Sequence, residues 1–110
     1  MDALRAELRR LRAEAAAEVQ ALESDLRAVF EASRESNADD EHDPEGSTIA
    51  YERAQLTAVL DATRRRLADL DDALARVDAG TYGVCTRCGR PIPPERLLAR
   101  PSARTCVTCA

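Results

Sequence analysis

Four cysteines stand close together at one end of the chain, as Cys85-x2-Cys88-x17-Cys106-x2-Cys109. Two Cys-x2-Cys pairs separated by a gap of this size have the spacing of a tetrahedral zinc site. Each pair turns two thiolates toward one metal, and the intervening loop brings the second pair across from the first. Gly89 and Pro91 follow the first pair and allow the chain to turn there. Four thiolates fill the coordination sphere, so the expected site is closed and structural, with no position for a catalytic water. Two disulfides would suit an exported chain, but the N-terminus, Met1-Asp2-Ala3-Leu4-Arg5, has no apolar run of the kind an export signal carries. A redox Cys-x-x-Cys belongs to a βαβ pattern, which the sequence does not show.

The rest of the chain must hold this cluster in place. There are 110 residues, three of them aromatic (Phe30, Tyr51 and Tyr82), and much of the 45% apolar content is alanine. That composition suits helices packed side by side better than a large globular core. All 16 basic residues are arginine. No apolar run approaches the roughly 20 residues of a membrane span. Cysteines without an export signal fit a reducing, cytoplasmic setting.

The periodicity supplies the helices. Apolar residues at 4, 8, 11, 15, 19, 22, 26 and 29 are spaced by threes and fours, one stripe along a helix. A second stripe runs through Ile49, Leu56, Leu60, Thr63, Leu67, Leu70, Leu74 and Val77, and from Leu56 it keeps a heptad period. Gly80 is placed to stop the second helix. Residues 33–47 carry no stripe and contain Pro, Gly, Asn and several Asp, so they read as a turn region, with Ser47 or Thr48 as the N-cap of the second helix. The expected fold is mainly α: a long antiparallel coiled-coil hairpin over 1–79, with an acidic tip near 36–47, followed by a small four-cysteine zinc finger over 80–110. Helices of about 30 residues would each be roughly 45 Å long.

Charge divides the chain unevenly. Residues 1–80 hold 11 Arg and 19 acids, whereas residues 81–110 hold five Arg and one acid. Seven acids fall between Glu31 and Ser47, against one base, Arg34. His42 has no second His or Cys nearby to suggest a metal site.

A hairpin with an acidic tip, followed by this cysteine module, resembles the DksA/TraR family of zinc-finger proteins. The resemblance rests on Gly80-Thr81-Tyr82-Gly83-Val84-Cys85, Cys88-Gly89-Arg90-Pro91-Ile92, Arg96-Leu97-Leu98-Ala99-Arg100-Pro101-Ser102-Ala103 and Cys106-Val107-Thr108-Cys109. It is specific over 80–110 and architectural over 1–79. It implies binding to bacterial RNA polymerase, core or holoenzyme, with the head at the rim of the secondary channel and the coiled coil inside it. Acidic tip residues would then approach the catalytic centre and modulate initiation, often together with ppGpp.

Regulatory members carry Asp-x-x-Asp-x-Ala at the tip. Here the nearest wording is Asp40-Glu41-His42-Asp43-Pro44-Glu45, so Asp40 and Asp43 carry over and Glu45 stands in place of Ala; in the other register Asp43 is the first Asp, and Gly46 and Thr48 replace the second Asp and the Ala. No ppGpp site carries over. The resemblance therefore gives one structural Zn2+ on Cys85, Cys88, Cys106 and Cys109, an effector tip at Asp40, Asp43 and Glu45, and docking arginines at Arg96 and Arg100.

The expected protein is a monomeric, non-enzymatic transcription regulator, with no sequence-specific DNA binding and no membrane contact. Two other readings stand beside it. The first is a zinc-finger nucleic-acid-binding protein using Arg87, Arg90, Arg96, Arg100 and Arg104 on phosphates. The acidic balance and the scarcity of aromatic residues oppose it. The second is a coiled-coil adaptor outside transcription. An enzyme would need a Ser/His/Asp set, a Gly-rich phosphate loop or an open metal position, and the sequence offers none of these.

Overall fold

The computed structural model describes the backbone of residues 2–37 and 44–110, and the side chains of all of these except 33, 35–37 and 44–47. Two long helices, α1 (Asp2–Asn37) and α2 (Pro44–Ala79), precede a six-residue helix, α3 (Pro94–Ala99). Among the described residues there is no strand, only an isolated antiparallel bridge between Val84 and Pro91. No described helix is long and apolar enough to cross a membrane.

The helices form where the apolar stripes run. Leu4, Leu8, Leu11, Ala15, Val19, Leu22, Leu26 and Val29 are all buried or half-buried, and so is every residue of the second stripe. The second stripe also has a member that hydropathy does not reveal. Arg53, four residues after Ile49 and three before Leu56, is half-buried, with its guanidinium 5.3 Å from the centre of the Phe30 ring. A guanidinium at this distance over an aromatic face is attracted to it while its aliphatic stem stays packed.

The turn region is narrower than its composition predicts. Helix α1 continues to Asn37, and α2 begins at Pro44 instead of after Ser47 or Thr48. Proline suits a first helical position, where its missing N–H costs no hydrogen bond. Ser47 and Thr48 are therefore the fourth and fifth residues of α2, inside the helix and not at its cap position. Asp40 and Asp43 lie outside the described residues. Glu45 belongs to α2 by its backbone, and its side chain lies outside them.

The chain divides into two compact units. One comprises 1–14 with 66–110, and the other comprises 15–65. In the first unit the ends of α1 and α2 pack antiparallel. Arg5 pairs with Asp78 at 3.1 Å and Arg12 pairs with Asp71, so seven residues forward on α1 match seven residues back on α2. Leu8, Leu70, Ala73 and Val77 are buried there. In the second unit Arg64 pairs with Glu23 at 3.1 Å, and Ala15, Leu60 and Thr63 are buried. Thr63 is a polar residue in an apolar seam, satisfied by a 2.8 Å hydrogen bond from its hydroxyl to the Val59 carbonyl.

Helix α2 ends as the glycine predicts. Gly80 has φ +78°, its N–H reaches the Val77 carbonyl at 3.2 Å, and the Thr81 N–H reaches the Arg76 carbonyl at 2.9 Å. This pair of bonds is a Schellman cap, which satisfies carbonyls the helix end would leave open.

Candidate metal centre

Residues 80–110 form the module that holds the cysteines. The first pair sits on a tight hairpin. The Ile92 N–H bonds the Gly83 carbonyl and the Cys85 N–H bonds the Arg90 carbonyl, both at 2.8 Å. Between them the Gly89 N–H bonds the Cys85 carbonyl at 3.0 Å. Gly89, at φ +72°, lets the chain reverse between Cys88 and Arg90 in a backbone region that side chains disfavour. The second pair closes a turn of its own, Cys109 N–H to Cys106 carbonyl at 3.1 Å. A 2.9 Å bond from the Thr86 N–H to the Arg104 carbonyl joins the two turns.

All four Sγ atoms lie within 4.8 Å of one another. The Cys88 and Cys106 sulfurs are 3.8 Å apart. A tetrahedral zinc with Zn–S near 2.3 Å sets sulfurs about 3.8 Å apart, whereas a disulfide would need about 2.05 Å. All four cysteines are free. The electrostatics favour a cation. Backbone N–H groups of Cys88 and then Cys106 aim at the Cys85 sulfur and lower its pKa to about 6. The Cys109 N–H likewise lowers Cys106. Cys109 is pushed up to about 12, because the sulfurs of Cys106 and Cys85 beside it hold its proton. A dication removes that penalty, and four sulfurs leave it no open position. The predicted zinc ligands are thus brought together as one closed structural site.

Arginines bind the module to α2 and to itself. Arg76, on α2, is nearly enclosed. It pairs with Asp72 at 2.9 Å, donates to the Ser102 and Ala103 carbonyls at 3.4 Å, and lies 6.0 Å from the Tyr82 ring centre. The Tyr82 hydroxyl donates to the Pro101 carbonyl at 2.8 Å, and burial raises its pKa against the opposing pull of Arg76. Arg104 reaches back to Asp69 at 3.3 Å and Asp72 at 3.1 Å. Asp69, Asp72, Ala73 and Arg76 share one side of α2, and Ala73 is fully buried on it although it lies outside the apolar stripe. Neither Arg76 nor α3 is visible as an apolar pattern. The signals for α3 are Pro94 at its first position and Glu95 in its first turn.

The predicted docking arginines separate. Arg96 is half-buried, and its Nε donates to the Thr105 carbonyl at 2.7 Å. Arg100 is exposed. Both line a hollow of about 310 Å³ together with Arg104 and Asp69. Leu98 and Val107 stand exposed on the same module.

Comparison with known proteins agrees with this geometry. Residues 80–110 match the prokaryotic dksA/traR C4-type zinc finger. The solved structure of transcription factor DksA2 from Pseudomonas aeruginosa superposes with a TM-score of 0.80, at 28% identity, over 98% of this chain and 78% of that one. Residues 80–110 are a DksA/TraR-family zinc finger. Two sequence relatives illustrate the likeness. The RNA polymerase-binding transcription factor DksA of Caulobacter vibrioides is 42% identical over 52 residues, 47% of this chain and 37% of that protein. General stress protein 16O of Bacillus subtilis is 39% identical over 72 residues, 66% of this chain and 44% of that protein. The match spans less than half the length of these curated relatives.

Proposed function

We propose that this protein binds bacterial RNA polymerase at its secondary channel and modulates initiation, acting as a monomer in the cytoplasm. The observation that carries the reading is the likeness to DksA2 over nearly the whole chain, joined to the matching zinc module. In this reading residues 80–110 dock as the head and residues 1–79 form the arm that enters the channel. The 36–47 segment leads, and Asp40, Asp43 and Glu45 act on the cations that manage nucleotides at the catalytic centre. Arg100, together with the exposed Leu98 and Val107, supplies docking surface, whereas Arg96 acts by holding the head together.

The local use of arginine weighs against the nucleic-acid-binding reading. Of the five arginines that could contact phosphates, Arg87 donates to the Cys109 carbonyl at 3.2 Å, Arg96 to Thr105, and Arg104 to Asp69 and Asp72. That leaves Arg90 and Arg100, too few for the multiple phosphate contacts on which non-specific affinity depends.

The test pairs two measurements: affinity for purified core polymerase by fluorescence anisotropy, and promoter open-complex lifetime. Asp40→Asn with Asp43→Asn removes two charges at nearly constant size. The expected result is affinity within about tenfold of the parent, roughly 1.4 kcal/mol, with the effect on open complexes largely lost. A double variant that regulates like its parent would show that the chain acts by occupying the channel and not through its tip.

A further inference from the structure

The second compact unit carries a patch that the zinc module does not explain. Arg27, Phe30, Glu31 and Arg34 fall at i, i+3, i+4 and i+7 on one face of α1 and line a hollow of about 360 Å³. The Phe30 ring is 46% exposed, and the Arg53 guanidinium of α2 lies 5.3 Å from its centre. One guanidinium thus lies over the ring, and two more arginines line the hollow beside it, against the single carboxylate of Glu31. Among the described residues, Arg27 and Arg34 form no hydrogen bond or ion pair, although Glu31 sits one helical turn from each. Elsewhere on the two long helices Arg5, Arg12, Arg64 and Arg76 are each paired with a carboxylate.

We infer that this face docks a protein surface made of one apolar side chain flanked by carboxylates. The inference rests on the polymerase reading and places the contact on polymerase, as a second attachment point apart from the zinc module. The apolar side chain would fill the hollow against Phe30. The ring is already held by Arg53, so little side-chain entropy is lost on binding. The carboxylates would pair with Arg27 and Arg34, which stand two turns or about 10.5 Å apart along the helix axis. Arginine is suited to that role because its fork donates two parallel hydrogen bonds to a carboxylate.

Charge decides between a protein and a nucleic acid as the occupant. Arg34 is the one base in the stretch from Glu31 to Ser47, which carries seven acids. A nucleic-acid strand presents a phosphate at every nucleotide, so it gains from a continuous run of cations, and the sequence following the patch is a run of acids instead. Carboxylates on a folded protein are confined to the patch and need no such run.

The test compares the parent, Arg27→Gln with Arg34→Gln, and Phe30→Ala for binding to purified core polymerase, at low and at moderate salt. The altered residues are exposed or half-exposed, and circular dichroism with zinc content checks that each variant is folded. Each variant is expected to bind roughly tenfold more weakly. The arginine variant should also lose part of the parent's salt dependence, while Asp40→Asn with Asp43→Asn keeps its affinity. Two other outcomes would sink the inference alone, with the polymerase reading intact. One is folded variants that bind like the parent. The other is direct binding of a 12-nucleotide single-stranded RNA that requires Arg27 and Arg34. A parent that does not bind polymerase would overturn both readings together.

Discussion

The Arg96 Nε donates a 2.7 Å hydrogen bond to the carbonyl of Thr105, which ties α3 to the residue just before the second cysteine pair. A side chain that sequence reasoning assigned to a partner is thereby used inside the module.

Arg96 and Arg100 should therefore behave differently when changed one at a time. Arg96→Ala leaves a half-buried carbonyl without its charged donor and should cost about 1–3 kcal/mol. It should show as earlier zinc release on heating. Arg100→Ala, at an exposed position, should change stability by less than about 0.5 kcal/mol. Chelator-monitored melting of the two single variants separates them, and equal melting would remove Arg96 from its structural role.

The zinc site should govern the fold of the module. Structural zinc contributes on the order of 10 kcal/mol of folding free energy in small modules. Cys106→Ser should reduce bound zinc well below one per chain and melt residues 81–110 while α1 and α2 keep much of their helical signal. Metal analysis and far-ultraviolet circular dichroism on one sample test both halves of this expectation.

Acid should release the metal from a defined side. The lowered pKa of Cys85, about 6 against an ordinary 9.0, means that the native contacts favour its thiolate. A group depressed in this way contributes above its unfolded value, and the contribution is lost as pH falls through the folded one. Zinc should be held at neutral pH and released on acidification, with a midpoint at or below about pH 6. Loading at pH 7 should also release protons, because Cys109 holds its proton up to about pH 12 until a cation displaces it. A chromogenic chelator followed across pH reads the first effect and weakly buffered titration reads the second. A release midpoint above pH 7 would contradict this account.

Gly80→Ala isolates backbone strain from packing. A Cβ at this position would meet nothing within 4 Å, so the cost comes from φ +78° alone. A left-handed residue with a side chain costs roughly 1–2 kcal/mol. The variant should melt several degrees lower with zinc content unchanged.

The sequence by itself determined the two helices, the inward face of each, the stop at Gly80 and the four metal ligands. These are local properties. A stripe of threes and fours can be buried only by a helix, and the paired cysteine spacing suits one tetrahedral ion. The same reading missed α3, whose six residues are too few to show a period and are marked only by Pro94 and Glu95. It also placed the start of α2 too late, because Pro44 was read as a breaker when it stands at a helix's first position.

Tertiary structure decided the uses of arginine. Sixteen identical side chains carry no mark of which carbonyl or carboxylate lies within reach. Arg76 became the link to the module because the backbone from Pro101 to Ala103 passes beside it, and Arg96 was drawn inward by Thr105. Arg53 joined the seam because the Phe30 ring lies across from it. Long-range placement of this kind depends on which chain segments fold against each other, and spacing along the sequence does not encode that directly.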